Sequence, residues 1–148
     1  MGDCMQLPDY VTLAEVKRVC KELKIRDWTT LGEPKVLAEE AKSILSELDI
    51  GDMKVPLEDF IKGLEVELEH GTFFPESNVT NNHPILTGKI VIAHFQESLD
   101  YYKRLEVAEL EGDLLKATVS KNALKVETLY RKLVKEKLAL SQAENTML

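Results

Sequence analysis

The stretch PLEDFIKGLEVELEHG, residues 56–71, indicates most clearly how this chain folds. Pro56 is typical of the first turn of a helix, and Gly71 is typical of the residue that follows one. Between them, apolar residues return every three or four positions, which places their side chains on one face of a helix. The stretch therefore predicts an amphipathic helix that ends at Gly71, with a buried face made of Leu57, Phe60, Ile61, Leu64 and Leu68.

Two further helices are predicted before this stretch. Thr12 with Glu15 three residues later is a capping signal, which starts a helix that runs to about Lys24. A second helix is predicted over about residues 36–48, because its apolar residues also recur at helical spacing.

The second half of the chain predicts two long helical segments. Asn82 caps a helix with Pro84 in its first turn, and this helix is predicted to run past Tyr102, with a break near Gly112. A last amphipathic helix is predicted from its apolar stripe, which is formed by Val119, Val126, Leu129, Leu133 and Leu140.

These helices, and the lack of a convincing strand pattern, predict an all-α fold. We expect a helical bundle with a central antiparallel helix hairpin and a long C-terminal helix. The length of 148 residues suits a single domain. Within this domain we expect a helical N-terminal part (residues 1–55), a hairpin core (56–105) and an amphipathic C-terminal helical tail (106–148).

The charge balance argues against nucleic acid and membrane as partners. The chain has 19 basic and 26 acidic residues, a net charge of −7, so it lacks the positive surface of a generic nucleic-acid or anionic-membrane binder. No signal peptide or membrane-spanning run is visible, and Cys4 and Cys20 form no C-x-x-C pattern. We therefore expect a cytoplasmic location.

Charge is distributed unevenly along the tail. Residues 116–137 contain seven basic and two acidic side chains, which gives +5, whereas residues 97–113 contain six acidic and two basic ones, which gives −4. We expect the basic face to be solvated or paired with the acidic stretch. The alternative is that this dipolar tail steers a partner.

The candidate functional residues are two mirrored motifs, Glu67-Leu68-Glu69-His70 and His94-Phe95-Gln96-Glu97. Residues three apart lie on one face of a helix, so each motif can direct a carboxylate and an imidazole at one point. These donors suit zinc, iron or manganese, and Glu-x-x-His spacing also supplies ligands in dimetal helical bundles.

The helical wheel predicts that these side chains point inward. Glu67 falls beside the buried stripe of its helix, whereas Glu65 and Glu69 fall on the solvated side. In the later helix, His94 and Glu97 interrupt a stripe that is otherwise formed by Leu86, Ile90, Ala93 and Tyr101. Antiparallel packing of the two helices is predicted to gather two Glu and two His at one depth. The alternatives are a buried hydrogen-bonded His–Glu network, or exposure of one half of the set at the protein surface.

A longer pattern resembles a known but uncharacterised family. It comprises Val66-Glu67-Leu68-Glu69-His70-Gly71, Asn78-Val79-Thr80-Asn81, Thr87-Gly88-Lys89-Ile90, Ala93-His94, Glu97 and Asp100-Tyr101-Tyr102 with Leu105. The pattern is similar to that of small helical domains of unknown function in bacteria, archaea and phages. The similarity covers about residues 60–105 and implies no activity.

The resemblance also concerns individual positions. It places Glu67, Glu69, His70, His94, Glu97 and Asp100 on matching positions of the family. Members often carry two acidic residues before the proline, where this chain has Asn82 and His83, so His83 is a candidate substitute ligand. Members tend to have a proline where this chain has Leu99, which predicts a straighter helix here.

Two hypotheses of different classes follow. The first is a metal-binding helical domain, with Glu67, His70, His94 and Glu97 as the ligands of a zinc, iron or manganese ion. Tyr101 and Asp100 would orient these ligands, with His83 as an additional one. No nucleophile–base pair is visible, so whether the chain is an enzyme stays open.

The alternative is a non-catalytic adaptor or scaffold, whose C-terminal amphipathic helix recruits a protein partner or forms a homodimer.

Overall fold

The computed structural model describes residues 4–148, and this part of the chain contains helices and no strand. The all-α prediction is therefore confirmed. Six α-helices follow one another: α1 (Leu13–Leu23), α2 (Ala38–Ser46), α3 (Leu57–Phe73), α4 (Pro84–Glu97), α5 (Tyr101–Val119) and α6 (Ala123–Asn145). Short 3₁₀ turns lie at Trp28–Thr30 and Pro75–Ser77.

Within the described residues the chain divides into two compact units, with the boundary between Ala93 and His94 in α4. In the first unit, α2 packs on α1 and α3. The second unit contains the end of α4 and a hairpin in which α6 packs against α5. The closest helix pairs are therefore α5 with α6 and α2 with α3, whereas the sequence predicted a central hairpin of α3 and α4. The single-domain organisation stays a prediction.

The first unit is held together by a charged pair across its connector. Arg26, in the connector after α1, donates from Nε and Nη2 to the two carboxylate oxygens of Glu40 in α2, both at 2.8 Å. The same carboxylate accepts from the backbone N of Leu37 at 3.0 Å and so caps α2. Burial opposes the charge of Glu40, but these hydrogen bonds outweigh it and hold the pKa of the carboxyl below its usual value.

Gly71 lies inside α3 and does not end it, because the helix continues to Phe73. The prediction of a terminal glycine was therefore wrong. A Cβ at Gly71 would lie 2.6 Å from Asn78 Nδ2 and even closer to Asn82 Oδ1. The glycine is needed because the loop between α3 and α4 folds back onto the helix at this position.

Two asparagines fasten that loop. Asn78 donates from its side-chain amide to Asn82 Oδ1 at 3.2 Å, and Asn82 Nδ2 donates to the backbone oxygen of Trp28 at 3.2 Å. Asn81 and Asn82 both have positive φ, +49° and +60°, a region that asparagine enters more easily than most residues. The loop is thereby tied to α3 and to the connector that holds Trp28.

Two predicted features of the chain after Pro84 were wrong. The helical segment breaks at Ser98–Asp100, whereas α5 continues through Gly112 without interruption. The break is stabilised by Asp100, which accepts from the Ser98 hydroxyl and from Arg104 Nη2, the latter at 2.7 Å. Leu99 in place of a proline therefore does not make the helix straighter.

The buried face of α4 also differs from the predicted one. Its buried residues are Pro84, Thr87, Gly88, Val91, Ile92 and Phe95, whereas Ile90, Ala93 and Glu97 are exposed. A Cβ at Gly88 would lie 2.8 Å from Ile44 Cγ2 and 2.9 Å from Leu48 Cδ1, so α4 approaches the end of α2 closely on this side. The helical wheel did not predict this face because a glycine and a threonine lie in it beside the apolar residues.

Charge pairing within the second unit confirms one of the two expectations for the tail. Lys132 Nζ in α6 lies 2.9 Å from Glu106 Oε1 in α5, and Lys137 Nζ lies 3.6 Å from Glu111 Oε1. The basic stretch therefore pairs in part with the acidic stretch of the same chain.

Two glycine substitutions test the account of Gly71. We expect Gly71→Ala to lower the free energy of unfolding by about 1–3 kcal/mol, because the new methyl group displaces the Asn78–Asn82 pair. Gly112→Ala is the matched control, since nothing lies within 4 Å of a Cβ there. It should raise stability by about 0.5–1 kcal/mol, as alanine does in a helix interior. Urea unfolding measures both, and equal effects of the two variants would contradict the close packing at Gly71.

Neighbouring glutamates test the Arg26–Glu40 pair. The side chain of Glu40 is 4% exposed, whereas that of Glu39 is 84% exposed and pairs only with Lys42 on the same helix. We expect Glu40→Ala to cost about 2–3 kcal/mol, since Arg26 and the first turn of α2 both lose their acceptor. Glu39→Ala should change stability by no more than about 0.5 kcal/mol. A Glu40→Ala variant as stable as the Glu39→Ala variant would refute the role of the pair.

Candidate functional site

The first candidate pair lies near the end of α3. Glu67 is placed beside the buried stripe, as predicted, and its side chain is 10% exposed, whereas His70 one turn later is exposed. His70 Nδ1 lies 3.7 Å from Glu67 Oε2. The buried stripe that positions Glu67 is formed by Phe60, Leu64 and Leu68, in agreement with the sequence.

The second pair lies at the end of α4, in the second unit. His94 Nδ1 lies 3.5 Å from Glu97 Oε2. The imidazole is half-buried because it stacks on Tyr101, with ring centroids 4.0 Å apart and an interplanar angle of 9°, and meets the edge of Tyr102. Glu97, in contrast, is 70% exposed, so the prediction that it is buried was wrong.

The spacing within the pairs matches that of two ligands on one metal ion. At 3.5 and 3.7 Å, the N···O separations are longer than a charge-assisted hydrogen bond, which is about 2.7–2.9 Å. Two donors bound tetrahedrally to zinc at about 2.0–2.2 Å stand roughly 3.4 Å apart. Each pair therefore has nearly the separation that a tetrahedral ion requires.

The structure forms the two predicted pairs but does not show a larger ligand group. Among residues 4–148, no group of three or more His, Cys, Asp or Glu side chains is arranged to hold a metal ion. The set of four ligands, Glu67, His70, His94 and Glu97, therefore stays a prediction.

His83 has a different function from the one the sequence predicted. Its Nδ1 accepts hydrogen bonds from the backbone N of Ile85 at 3.2 Å and of Leu86 at 3.3 Å. The imidazole, and not the Asn82 side chain, therefore caps the start of α4 and uses the lone pair that a metal would need. Burial lowers the pKa of His83 from its usual value, and the charge of Arg18 adds to this effect, whereas the carboxylate of Glu15 opposes it.

Tyr101 and Asp100, the two residues expected to orient the ligands, make different kinds of contact. Tyr101 does contact His94, through the stacked rings. Asp100 instead binds Ser98 and Arg104 at the break between α4 and α5, and these hydrogen bonds outweigh burial and lower its pKa. Asp100 therefore stabilises the break.

The sequence analysis missed several buried polar groups. Glu65 was assigned to solvent, but its Oε1 accepts from the backbone N of Val36 at 3.1 Å. Glu40 was not singled out, although its position three residues after Leu37 fits the acidic member of a capping box. No local signal marks Asn82 as the link to Trp28, because that contact spans 54 positions of the chain.

A cavity of about 280 Å³ in the first unit is lined by Arg18, Val19, Glu22, Leu23, Glu47 and Ile85. Arg18 Nη1 is paired there with Glu22 Oε2 at 2.6 Å. The lining includes no serine, cysteine or histidine and thus no nucleophile–base pair. Neither of the two Glu–His pairs lines this cavity.

Comparison with known proteins assigns the chain to a family. The chain belongs to the family described as protein of unknown function (DUF5661), whose sequence profile matches residues 16–111. The resemblance drawn from the sequence is thereby confirmed, and the match extends well beyond residues 60–105, to include α2 and most of α1. The end of α5 and all of α6 lie outside it. No curated protein and no solved structure matches the chain.

The structure gives no indication of a membrane span. Among the described residues, no helix is both long and apolar enough to cross a bilayer.

The capping role of His83 predicts a component of acid sensitivity. Because the pKa of His83 is lowered in the folded state, the unfolded chain binds more protons once the pH falls below about 6.5. The free energy of unfolding should therefore decrease as the pH falls from about 7.5 to about 5.5. His83→Asn keeps a capping oxygen but does not titrate, so the variant should lose stability less steeply over this range.

Urea unfolding at several pH values measures this difference, and the other titrating groups cancel in the comparison of wild type with variant. Identical pH dependence of the two proteins would show that His83 does not cap α4 in its neutral form.

Proposed function

We propose that this protein binds a divalent transition metal ion, with zinc preferred over iron and manganese, through its two Glu–His pairs. The observation that carries the proposal is the separation of 3.5–3.7 Å between imidazole nitrogen and carboxylate oxygen in both pairs. This separation is too long for a strong hydrogen bond and close to the distance between two ligands of a tetrahedral ion.

The types of donor also support zinc. Each pair provides one imidazole nitrogen and one carboxylate oxygen, and zinc takes ligands of both types.

The surroundings of each pair support a role as ligands. Glu67 is nearly buried, in a position where a metal ion can compensate the charge of its carboxylate. The ring of His94 is fixed by the stack on Tyr101, so its orientation does not have to be selected when a ligand binds. Metal binding by these residues is proposed without an attached reaction.

Titration of metal-free protein without a histidine tag tests the proposal. We expect one equivalent of zinc to bind by isothermal titration calorimetry, and zinc to raise the melting temperature, because the ion binds the native state. Glu67→Gln and His94→Ala should each weaken zinc binding by more than the roughly 10–100-fold that loss of an outer partner costs. Glu69→Gln, two residues from Glu67 on the same helix, is the matched control and should bind as wild type does.

The cysteines need a separate control, since Cys4 is exposed and thiolates bind zinc well. Cys4→Ser should leave the titration unchanged. If the protein binds less than about a tenth of an equivalent of each of zinc, iron and manganese after these ions are added, the proposal is refuted. Full zinc binding by the Glu67→Gln and His94→Ala variants would refute the assignment of the ligands.

A further inference from the structure

Helix α6 carries two separate apolar stripes. The inner one consists of Val126, Leu129, Leu133 and Leu140, which are buried or half-buried in the hairpin with α5. The outer one consists of Ala123, Tyr130, Val134 and Leu138, on the side of α6 turned about 120° from the first at roughly 100° per residue. Its three large side chains are each more than half exposed. A helix with two such stripes suits a bundle in which it contacts two neighbours.

A hollow in the surface lies at one end of the outer stripe. It has a volume of about 530 Å³ and is lined by Thr118, Lys121, Ala123, Val126, Glu127 and Tyr130. The exposed atoms inside it are almost all apolar. The outer stripe is therefore continuous with a wide, shallow apolar depression.

The charges around the stripe favour a second copy of this chain as the occupant. We propose that two copies pair antiparallel through the outer stripe of α6, about a two-fold axis that passes near residue 132. In this register, Tyr130 lies opposite Val134 and Val126 lies opposite Leu138. Glu127, which Arg131 of the same helix binds at 2.9 Å, lies opposite Lys137 of the second copy. Lys137 also lies 3.6 Å from Glu111 of its own chain, and the symmetry repeats each contact.

Other pairings fit the residues less well. A parallel pairing in register places Glu127 against Glu127 and lysine against lysine, which is unfavourable. A nucleic acid would meet the carboxylate of Glu127 in the middle of the surface and a chain of net charge −7. In the antiparallel pair, apolar residues meet apolar ones and each carboxylate meets an ammonium group.

The small buried part of α6 favours association of the second unit with another copy. On α6, which is 23 residues long, only Leu133 is fully buried. A pair of helices buries far less apolar surface than a four-helix bundle, in which two hairpins cover each other. A single helix pair covers less than the roughly 800 Å² per partner of a standard interface. The dimer should therefore dissociate on dilution.

Sedimentation velocity of the full chain over a wide range of concentrations tests the inference, which does not depend on metal binding. We expect the mass to rise from the monomer value of 16.8 kDa towards twice that value with increasing concentration. Val134→Glu should raise the dissociation constant by at least about tenfold, because it buries an unpaired carboxylate at the centre of the interface. Leu124→Glu is the matched control, as Leu124 is an exposed leucine of α6 that lies off the stripe.

A charge exchange tests the register. Glu127→Lys and Lys137→Glu should each weaken the dimer, and the double variant should restore it, because the exchanged charges again meet their opposites. Circular dichroism verifies that the helix content of every variant equals that of the wild type. A wild type that stays monomeric at every concentration, or a dimer unaffected by Val134→Glu, would overturn the inference. A double variant no stronger than the single ones would overturn the antiparallel register.

Discussion

The side-chain amide of Asn82 connects three segments of the first unit, and the turn of the chain into α4 depends on this contact. It accepts from Asn78, donates to the backbone of Trp28 and packs where Gly71 leaves room, so one buried group connects the loop after α3, the helix itself and the connector after α1. The left-handed backbone at Asn81 and Asn82 turns the chain into α4 immediately after this contact. The glycine and the asparagines of residues 71–82 therefore have a structural explanation. The contacts of Asn82 do not explain why the chain carries the two Glu–His pairs.

The buried carboxylates that bind arginine differ in geometry from the carboxylates of the two Glu–His pairs. Glu40 and Asp100 are buried, and each is bound by an arginine at 2.7–2.8 Å, so the charge of each is compensated within the fold. In the Glu–His pairs the distances are 3.5–3.7 Å, and two of the four side chains are largely exposed. A compensated buried carboxylate stabilises a connection between two segments. The wider spacing in the Glu–His pairs is the observation on which the proposed function rests.

Patterns among residues close together in the sequence predicted local structure. They did not predict contacts between segments that are distant along the chain. The Thr12 cap was predictable, because the threonine side chain and the Glu15 backbone N–H that it binds lie three residues apart. The buried stripe of α3 was predictable from its spacing, and so was the i, i+3 geometry of both Glu–His pairs. The inward face of α4 was not, since Gly88 becomes a contact residue only where Ile44 and Leu48 approach it. The role of His83 as a cap was not predicted for a different reason. Its hydrogen bonds to the backbone of Ile85 and Leu86 are local, but its residue type suggested a metal ligand.

Zinc-edge X-ray absorption of the protein loaded with one equivalent of zinc tests the central claim most directly, because it reports the atoms bound to the ion. The account predicts four nitrogen and oxygen ligands at about 2.0–2.2 Å, with the scattering pattern of two imidazole rings and no sulfur. The spectrum should lose imidazole scattering in His94→Ala. A sulfur shell at about 2.3 Å would place the ion on cysteine, and a six-coordinate shell of oxygen alone would describe an ion held mainly by water. Either spectrum would contradict the claim that the two Glu–His pairs form a metal site.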